Sequence, residues 1–192
     1  MEEENDACEQ DNRKTIYWRQ GGLIMNIFVL DEDPRQASKY LDDVRIPKMC
    51  VETAQMLASA VIRHGAQPED MPLTQKGTPY KGGYHHHPCT VWAGDSRSNF
   101  IWLINHGIAM CSEYTHRFGK VHACQGPILH MQAMIDFIPQ GRLTDFAQAM
   151  PDEFKHPNAV VAYRRYYHSK INSPGGVRYV RTSPPEWWLG GV

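Results

Sequence analysis

Three side chains, Arg45, Lys48 and Glu52, fall at i, i+3 and i+7, and a helix continuous through Pro47 would place them on one face. A guanidinium, an amine and a carboxylate on one wall can hold a phosphate, stabilise an iminium or oxocarbenium charge and move a proton. The same spacing also suits an ordinary Lys–Glu pair on a solvated face. A second group, His85-His86-His87-Pro88-Cys89 with Trp92 nearby, invites a zinc reading. Adjacent histidines point in alternate directions, however, and the zinc deaminase pattern is incomplete, because position 92 is Trp and no Glu follows the histidines at the required offset. No metal is therefore expected. One histidine caps a helix beginning at Pro88, and His86 and His87 are candidate contacts to a ligand.

A third group runs from Tyr163 to Lys170, where Tyr163, Tyr166, Tyr167 and Lys170 share one helical face flanked by Arg164, Arg165 and His168. Aromatic planes stack on exposed bases while guanidinium groups take phosphates, so this interleaving suits distorted or single-stranded nucleic acid. The competing arrangement is tyrosines in the core with arginines at the rim. The tail Pro184-Pro185-Glu186-Trp187-Trp188-Leu189 is rigid and aromatic, and is expected to dock onto the body of the protein.

The elements that must position these groups are helices. Asp33-Pro34 supplies a cap and a first-turn proline. Ala37, Tyr40, Leu41 and Val44 follow at helical spacing, and Pro47 is expected to end or kink that helix. A second helix runs through Met49, Val51, Ala54, Met56, Leu57 and Val61 and closes at His64-Gly65. Residues 66–88, rich in Pro and Gly, form a long loop of functional length. Further helices are predicted over Ser96–Phe118, Ile128–Ile138 and Pro157–Ile171, with a short piece at Phe146–Met150. No alternating run is long enough for a sheet, so the fold class is all-α, a compact single-domain bundle with long loops.

The chain has 192 residues, 42% hydrophobic and 21% charged, with a net charge of −1. That composition excludes a disordered chain or a fibre. The longest apolar run, Leu23 to Leu30, is broken by Asn26 and falls far short of the ~20 residues of a membrane span. Acidic residues lead the chain where a signal peptide would be basic. The 5 cysteines lack any Cys-x-x-Cys pair, which predicts reduced thiols and a cytoplasmic setting. Residues 1–24 are polar and aperiodic, and Met25-Asn26-Ile27-Phe28-Val29-Leu30 reads as a natural beginning, an apolar extended entry. The expectation is a disordered or non-native extension at 1–24 and a single helical domain over 25–192. From Phe154 to Pro185 there is no acid against six bases, a balance suited to a phosphate-bearing partner.

The string Tyr40-Leu41-Asp42-Asp43-Val44-Arg45-Ile46-Pro47-Lys48, followed by Val51-Glu52-Thr53-Ala54-Gln55, resembles the opening helix of the pyrimidine dimer DNA glycosylase superfamily, the bacteriophage endonuclease V type with its phage and bacterial relatives. The resemblance continues at Gly83–Pro88, Val91-Trp92-Ala93, Asn99–Leu103, Gly107–Tyr114 and the Tyr163–Lys170 run, in the same order. It implies a helical enzyme of a bacterial cell or phage-infected host that grips and kinks double-stranded DNA at a damaged pyrimidine. An N-terminal α-amine attacks C1′ to form an imine, a carboxylate assists, and β-elimination cuts the strand. A free α-amine suits this work, since its pKa of ~7.7–8.0 leaves roughly a tenth or more of it unprotonated at neutral pH.

Two departures matter. The matching point lies 24 residues into the chain, so the amine would belong to Met25, or to Asn26 after methionine removal. The carboxylate that follows the matching Arg in the endonuclease is here Ile46, leaving Glu52, or else Asp43, to serve. Lys48 is an alternative nucleophile. The expected catalytic set is Asn26, Arg45, Lys48 and Glu52, in a DNA glycosylase with AP lyase activity. The DNA-binding set is His86, His87, Tyr163, Arg164, Arg165, Tyr166, Tyr167 and Lys170. The enzyme would act as a monomer without cofactor or membrane. Alternatives are an enzyme that modifies or removes an unusual pyrimidine in phage DNA, a non-catalytic nucleic-acid-binding module and, last, a metal-dependent hydrolase built on His85–Cys89.

Overall fold

A computed structural model describes residues 25–190, and the proposed extension at 1–24 lies outside them. The described residues contain six α-helices: α1 (Pro34–Tyr40), α2 (Arg45–Arg63), α3 (Pro88–Asp95), α4 (Arg97–Phe118), α5 (Gln125–Ala133) and α6 (Ala159–His168). Three 3-10 turns join them, at Ile135–Phe137, Asp152–Phe154 and Ser169–Asn172. Among the described residues there is no strand, only an isolated bridge between Leu73 and Pro79. The fold is all-α.

Helices α2 and α4, of 19 and 22 residues, form the central pair. They approach closely at Gly107, where an added Cβ would lie 2.7 Å from the Thr53 methyl and 3.1 Å from Ile128 of α5. Helix α1 packs on α4, α3 on both central helices, and α5 across them. Before α1, Met25 to Leu30 is buried without regular secondary structure, an irregular segment threaded into a helical core. Its polar groups find partners far along the chain: Asn26 Nδ2 donates to the Ala149 carbonyl at 3.0 Å, and Arg164 Nε donates to the Leu30 carbonyl at 2.9 Å. The C-terminal segment returns over α1 and α6. Tyr179 Oη donates to the Tyr40 carbonyl, Trp187 packs edge-on against Tyr40 and Tyr167, and Trp188 stacks on His168 at 4.7 Å.

Helix starts follow their caps. Asp33 accepts from the Arg35 N–H at 2.8 Å, with Pro34 in the first turn. Ser96 ends α3 and caps α4, its Oγ accepting from the Asn99 N–H at 3.1 Å. The expectation at Pro47 needs correction. The first helix ends at Tyr40, before the proline, and Pro47 sits in the first turn of α2, where its missing N–H leaves no bond unmade. The helix expected at Ile128–Ile138 begins earlier, at Gln125, and finishes as a 3-10 turn; Phe146–Met150 is not helical.

The loop at 66–87 is pinned to α2 by Ser59, whose Oγ accepts from the Gly83 N–H at 2.8 Å and lies 3.0 Å from the Gly83 carbonyl. Gly82 is left-handed there (φ +67), and a Cβ on it would lie 2.2 Å from Ser59 Oγ and 2.8 Å from the Ser59 nitrogen. Gly82→Ala is expected to lower stability by about 2–4 kcal/mol in urea unfolding, through backbone strain and a backbone clash together.

Candidate active site

Glu52 lies one helical turn beyond Lys48 on α2, and the two meet very different surroundings. Glu52 is only 2% exposed, whereas the Lys48 side chain is 45% exposed. Lys48 Nζ stands 3.2 Å from Glu52 Oε1, and the backbone N–H of Asn26 donates to Oε2 at 3.0 Å. Burial raises the Glu52 pKa above the ordinary carboxylate value, against the opposing pull of Lys48 and the Asn26 N–H. The result is a carboxyl suited to proton transfer, with one oxygen on a backbone nitrogen and the other beside a partly open amine.

Asn26 is held in turn. Its Oδ1 accepts from the Ile27 and Phe28 N–H groups at 2.8 and 2.9 Å, folding the backbone back on itself. Phe28 takes the unusual φ of +37 that follows from this turn. Its ring lies parallel to Tyr166 at 6.0 Å and edge-on to Tyr163 and Tyr167. The nitrogen of residue 26 is thus aimed at Glu52 by local turn chemistry and an aromatic clamp.

Arg45 shares the helix, but its guanidinium is occupied by protein. Nη1 donates to Asp42 Oδ2 at 2.6 Å and to the Gly176 carbonyl at 2.9 Å, and Nη2 donates to Ser173 Oγ at 2.9 Å. Asp42 Oδ2 also accepts from Tyr167 Oη at 2.5 Å. Buried charge paired in this way fixes geometry and leaves little for a phosphate.

The Tyr163–Lys170 run divides in two. Tyr163, Tyr166 and Tyr167 face the core, the first giving its hydroxyl to the Ala147 carbonyl at 2.5 Å, so their rings are not free platforms for bases. Burial pushes all three phenols up. Arg164 bonds Leu30, lies 3.5 Å from Asp31 and covers Tyr40 and Trp187. Arg165 is exposed. Lys170 Nζ sits 3.6 Å above the Tyr166 ring, and its pKa is lowered to about 8 by burial and then by the charges of Arg45 and Lys48. Tyr166 also feels the Glu52 carboxylate. The structure therefore brings Lys170 into the electrostatic neighbourhood of Arg45 and Lys48, a convergence the sequence reading missed because 122 residues separate Lys48 from Lys170.

In the histidine cluster, His87 caps α3, its Nδ1 accepting from the Cys89 N–H at 3.2 Å. It is buried, and burial lowers its pKa to about 4, so the ring is neutral and not at the surface. His85 and His86 are exposed. The Cys89 thiol, buried beside Tyr163, is pushed up to about 12. Among the described residues no three metal-ligating atoms converge in this cluster.

The raised Glu52 pKa has a stability consequence. The folded protein holds this proton more tightly than the unfolded chain, so the contribution is fully present below the ordinary carboxylate pKa and is lost as pH rises through the folded value. Glu52→Gln should thus unfold in urea at or above the wild-type midpoint at pH 7, and the difference should shrink or reverse on acidification to about pH 4.

A family model described as pyrimidine dimer DNA glycosylase matches residues 25–125, just over half the chain. The matched span holds Asn26, Lys48, Glu52 and the histidine cluster, while α6 lies beyond it. No curated protein and no solved structure gives a significant match. Among the described residues no helix is long and apolar enough to cross a membrane. The match begins at the residue whose removal would free the nitrogen that faces Glu52, and it runs through the whole central helix pair: the chain belongs to the pyrimidine dimer DNA glycosylase family.

Proposed function

We propose that the protein is a glycosylase and AP lyase acting on damaged pyrimidines, pyrimidine dimers among them, in double-stranded DNA, with the α-amine of Asn26 as nucleophile. The observation that carries this reading is the 3.0 Å contact between the residue 26 nitrogen and buried Glu52. A start at Met25 followed by methionine removal would turn that amide nitrogen into a free amine beside a carboxyl of raised pKa. Met25 is 1% exposed, and its methyl would contact a Cβ on Gly83 at 4.0 Å. Its loss would both create the nucleophile and vacate buried space beside the loop that carries His85 and His86.

In the proposed reaction the Asn26 amine bonds to C1′, and the glycosidic bond breaks with its electron pair going to the base. Glu52 supplies a proton to the sugar ring oxygen as the ring opens, and loss of the amine's proton leaves an imine. Removal of a C2′ proton then expels the 3′ phosphate. The cation of Lys48 stabilises the developing negative charge and the nearby phosphate, and Lys170, Arg165 and His86 supply further DNA contacts. Arg45 acts as a positioning residue, and the buried tyrosines with Arg164 and His87 hold the scaffold. Damage that weakens stacking makes the kinked complex cheaper to form. A monomer working in the cytoplasm without cofactor suffices for this chemistry.

Lys48 is the second reading, favoured by its exposure and its 3.2 Å approach to Glu52. Borohydride trapping on duplex DNA with a thymine dimer or an abasic site separates the two. The form beginning at Asn26 is expected to give a covalent adduct on both substrates, and Glu52→Gln in that form to slow base release by about 100-fold or more. An adduct lost only in Lys48→Ala would move the nucleophile into α2. DNA binding with no adduct from any form would overturn the lyase and leave a base-modifying enzyme or a binding module.

A further inference from the structure

Behind α2, on side chains the proposed reaction does not use, lies a second cluster. Cys50 on α2, Cys111 on α4 and His122 in the connection to α5 bring their ligand atoms within 4.8 Å of one another. Both thiols are buried and His122 is partly so. Cys124, also buried, follows two residues later; its N–H donates to His122 Nδ1 at 3.1 Å, and its thiol is close enough to interact electrostatically with Cys50 and Cys111. We propose that Cys50, Cys111, His122 and Cys124 form a structural site for a single zinc ion.

The donor set is one that zinc takes in closed structural sites, three thiolates and an imidazole in a tetrahedron. A Zn–S bond of about 2.3 Å puts tetrahedral sulfurs about 3.8 Å apart, a contraction of at most about 1 Å between Cys50 and Cys111; Cys124, outside that group of three, would complete the tetrahedron from the start of α5. The supporting contacts are also in place. The His122 ring donates to the Pro47 carbonyl and packs edge-on to Tyr114 at 4.7 Å, and Tyr80 Oη lies 3.8 Å from Cys124 Sγ. The Nδ1 lone pair accepts from the Cys124 N–H, so zinc would take that lone pair in place of the N–H while the other ring nitrogen stays on a carbonyl. On binding zinc, each ligating thiol releases one proton as its sulfur bonds to the metal, and no oxidant or reductant is involved. The ion would tie α2, between Lys48 and Glu52, to α4 and to the start of α5.

The test is the zinc content of the full chain purified under reducing conditions, incubated with zinc chloride and desalted, paired with cobalt substitution. One zinc per chain is expected, with the strong visible bands of tetrahedral, thiolate-bound cobalt. Cys111→Ser should lose both signals, and Cys89→Ser, a buried thiol outside the cluster, should keep them. Zinc should also shield Cys50, Cys111 and Cys124 of the wild type from alkylation, a readout independent of whether any variant folds. Retention of no zinc, only the weak bands of octahedral cobalt, a Cys50–Cys111 disulfide in the isolated protein, or zinc held undiminished by folded Cys111→Ser would each overturn the proposal. None of these results bears on whether the Asn26 amine traps DNA.

Discussion

Glu52 is a carboxylate taken out of water at the centre of a helical protein, and a charge so placed persists only where donors are brought to it. One donor comes from its own helix, Lys48, and the other from a segment with no secondary structure at all. An irregular backbone inside a core must have each polar group met individually, because no ladder supplies partners. The Asn26 side chain, the Ala149 carbonyl and the Arg164 guanidinium meet that need around Met25–Leu30. Each of those partners comes from a different part of the chain. The helices must close around this segment for the carboxylate to be buried at all, so the packing and the candidate chemistry share one constraint.

The Asp42, Arg45 and Tyr167 network extends that constraint to the C-terminal third. Arg45 opens α2, Tyr167 belongs to α6, and Gly176 and Ser173 lie beyond it, so one buried guanidinium joins the start of the site helix to the last turns of the protein. Nearby, Asp43 accepts from the Val180 and Arg181 N–H groups and approaches Arg117 at 3.4 Å. The pair Asp42-Asp43 thus anchors both α6 and the returning tail. Such buried ionic contacts add geometric definition more surely than net stability.

Much of the helical frame was legible because its signals are local. Asp33-Pro34 and Ser96 mark boundaries through local capping chemistry, and the structure uses them as caps. Pro47 misled because a proline that ends one helix and a proline in the first turn of the next look alike until the preceding helix is seen to stop at Tyr40. The tyrosines of α6 misled for a different reason. A face of Tyr163, Tyr166 and Tyr167 has the same period whether it meets solvent, DNA or a core, and what decided it was partners outside the helix, Ala147 for Tyr163, Phe28 for Tyr166 and Asp42, 125 residues away along the chain, for Tyr167. The pairing of residue 26 with Glu52 could be anticipated only through the family resemblance. The Cys50, Cys111 and His122 convergence left no trace in spacing, since its members come from two packed helices and a connection.

The close crossing at Gly107 reaches further than packing. Thr53, whose methyl meets that glycine, is the residue next to Glu52 along the helix. A single methyl group gained at position 107 would press on Thr53, and the strain would fall on the stretch of helix that carries the buried carboxylate, at a site to which residue 107 contributes no atom.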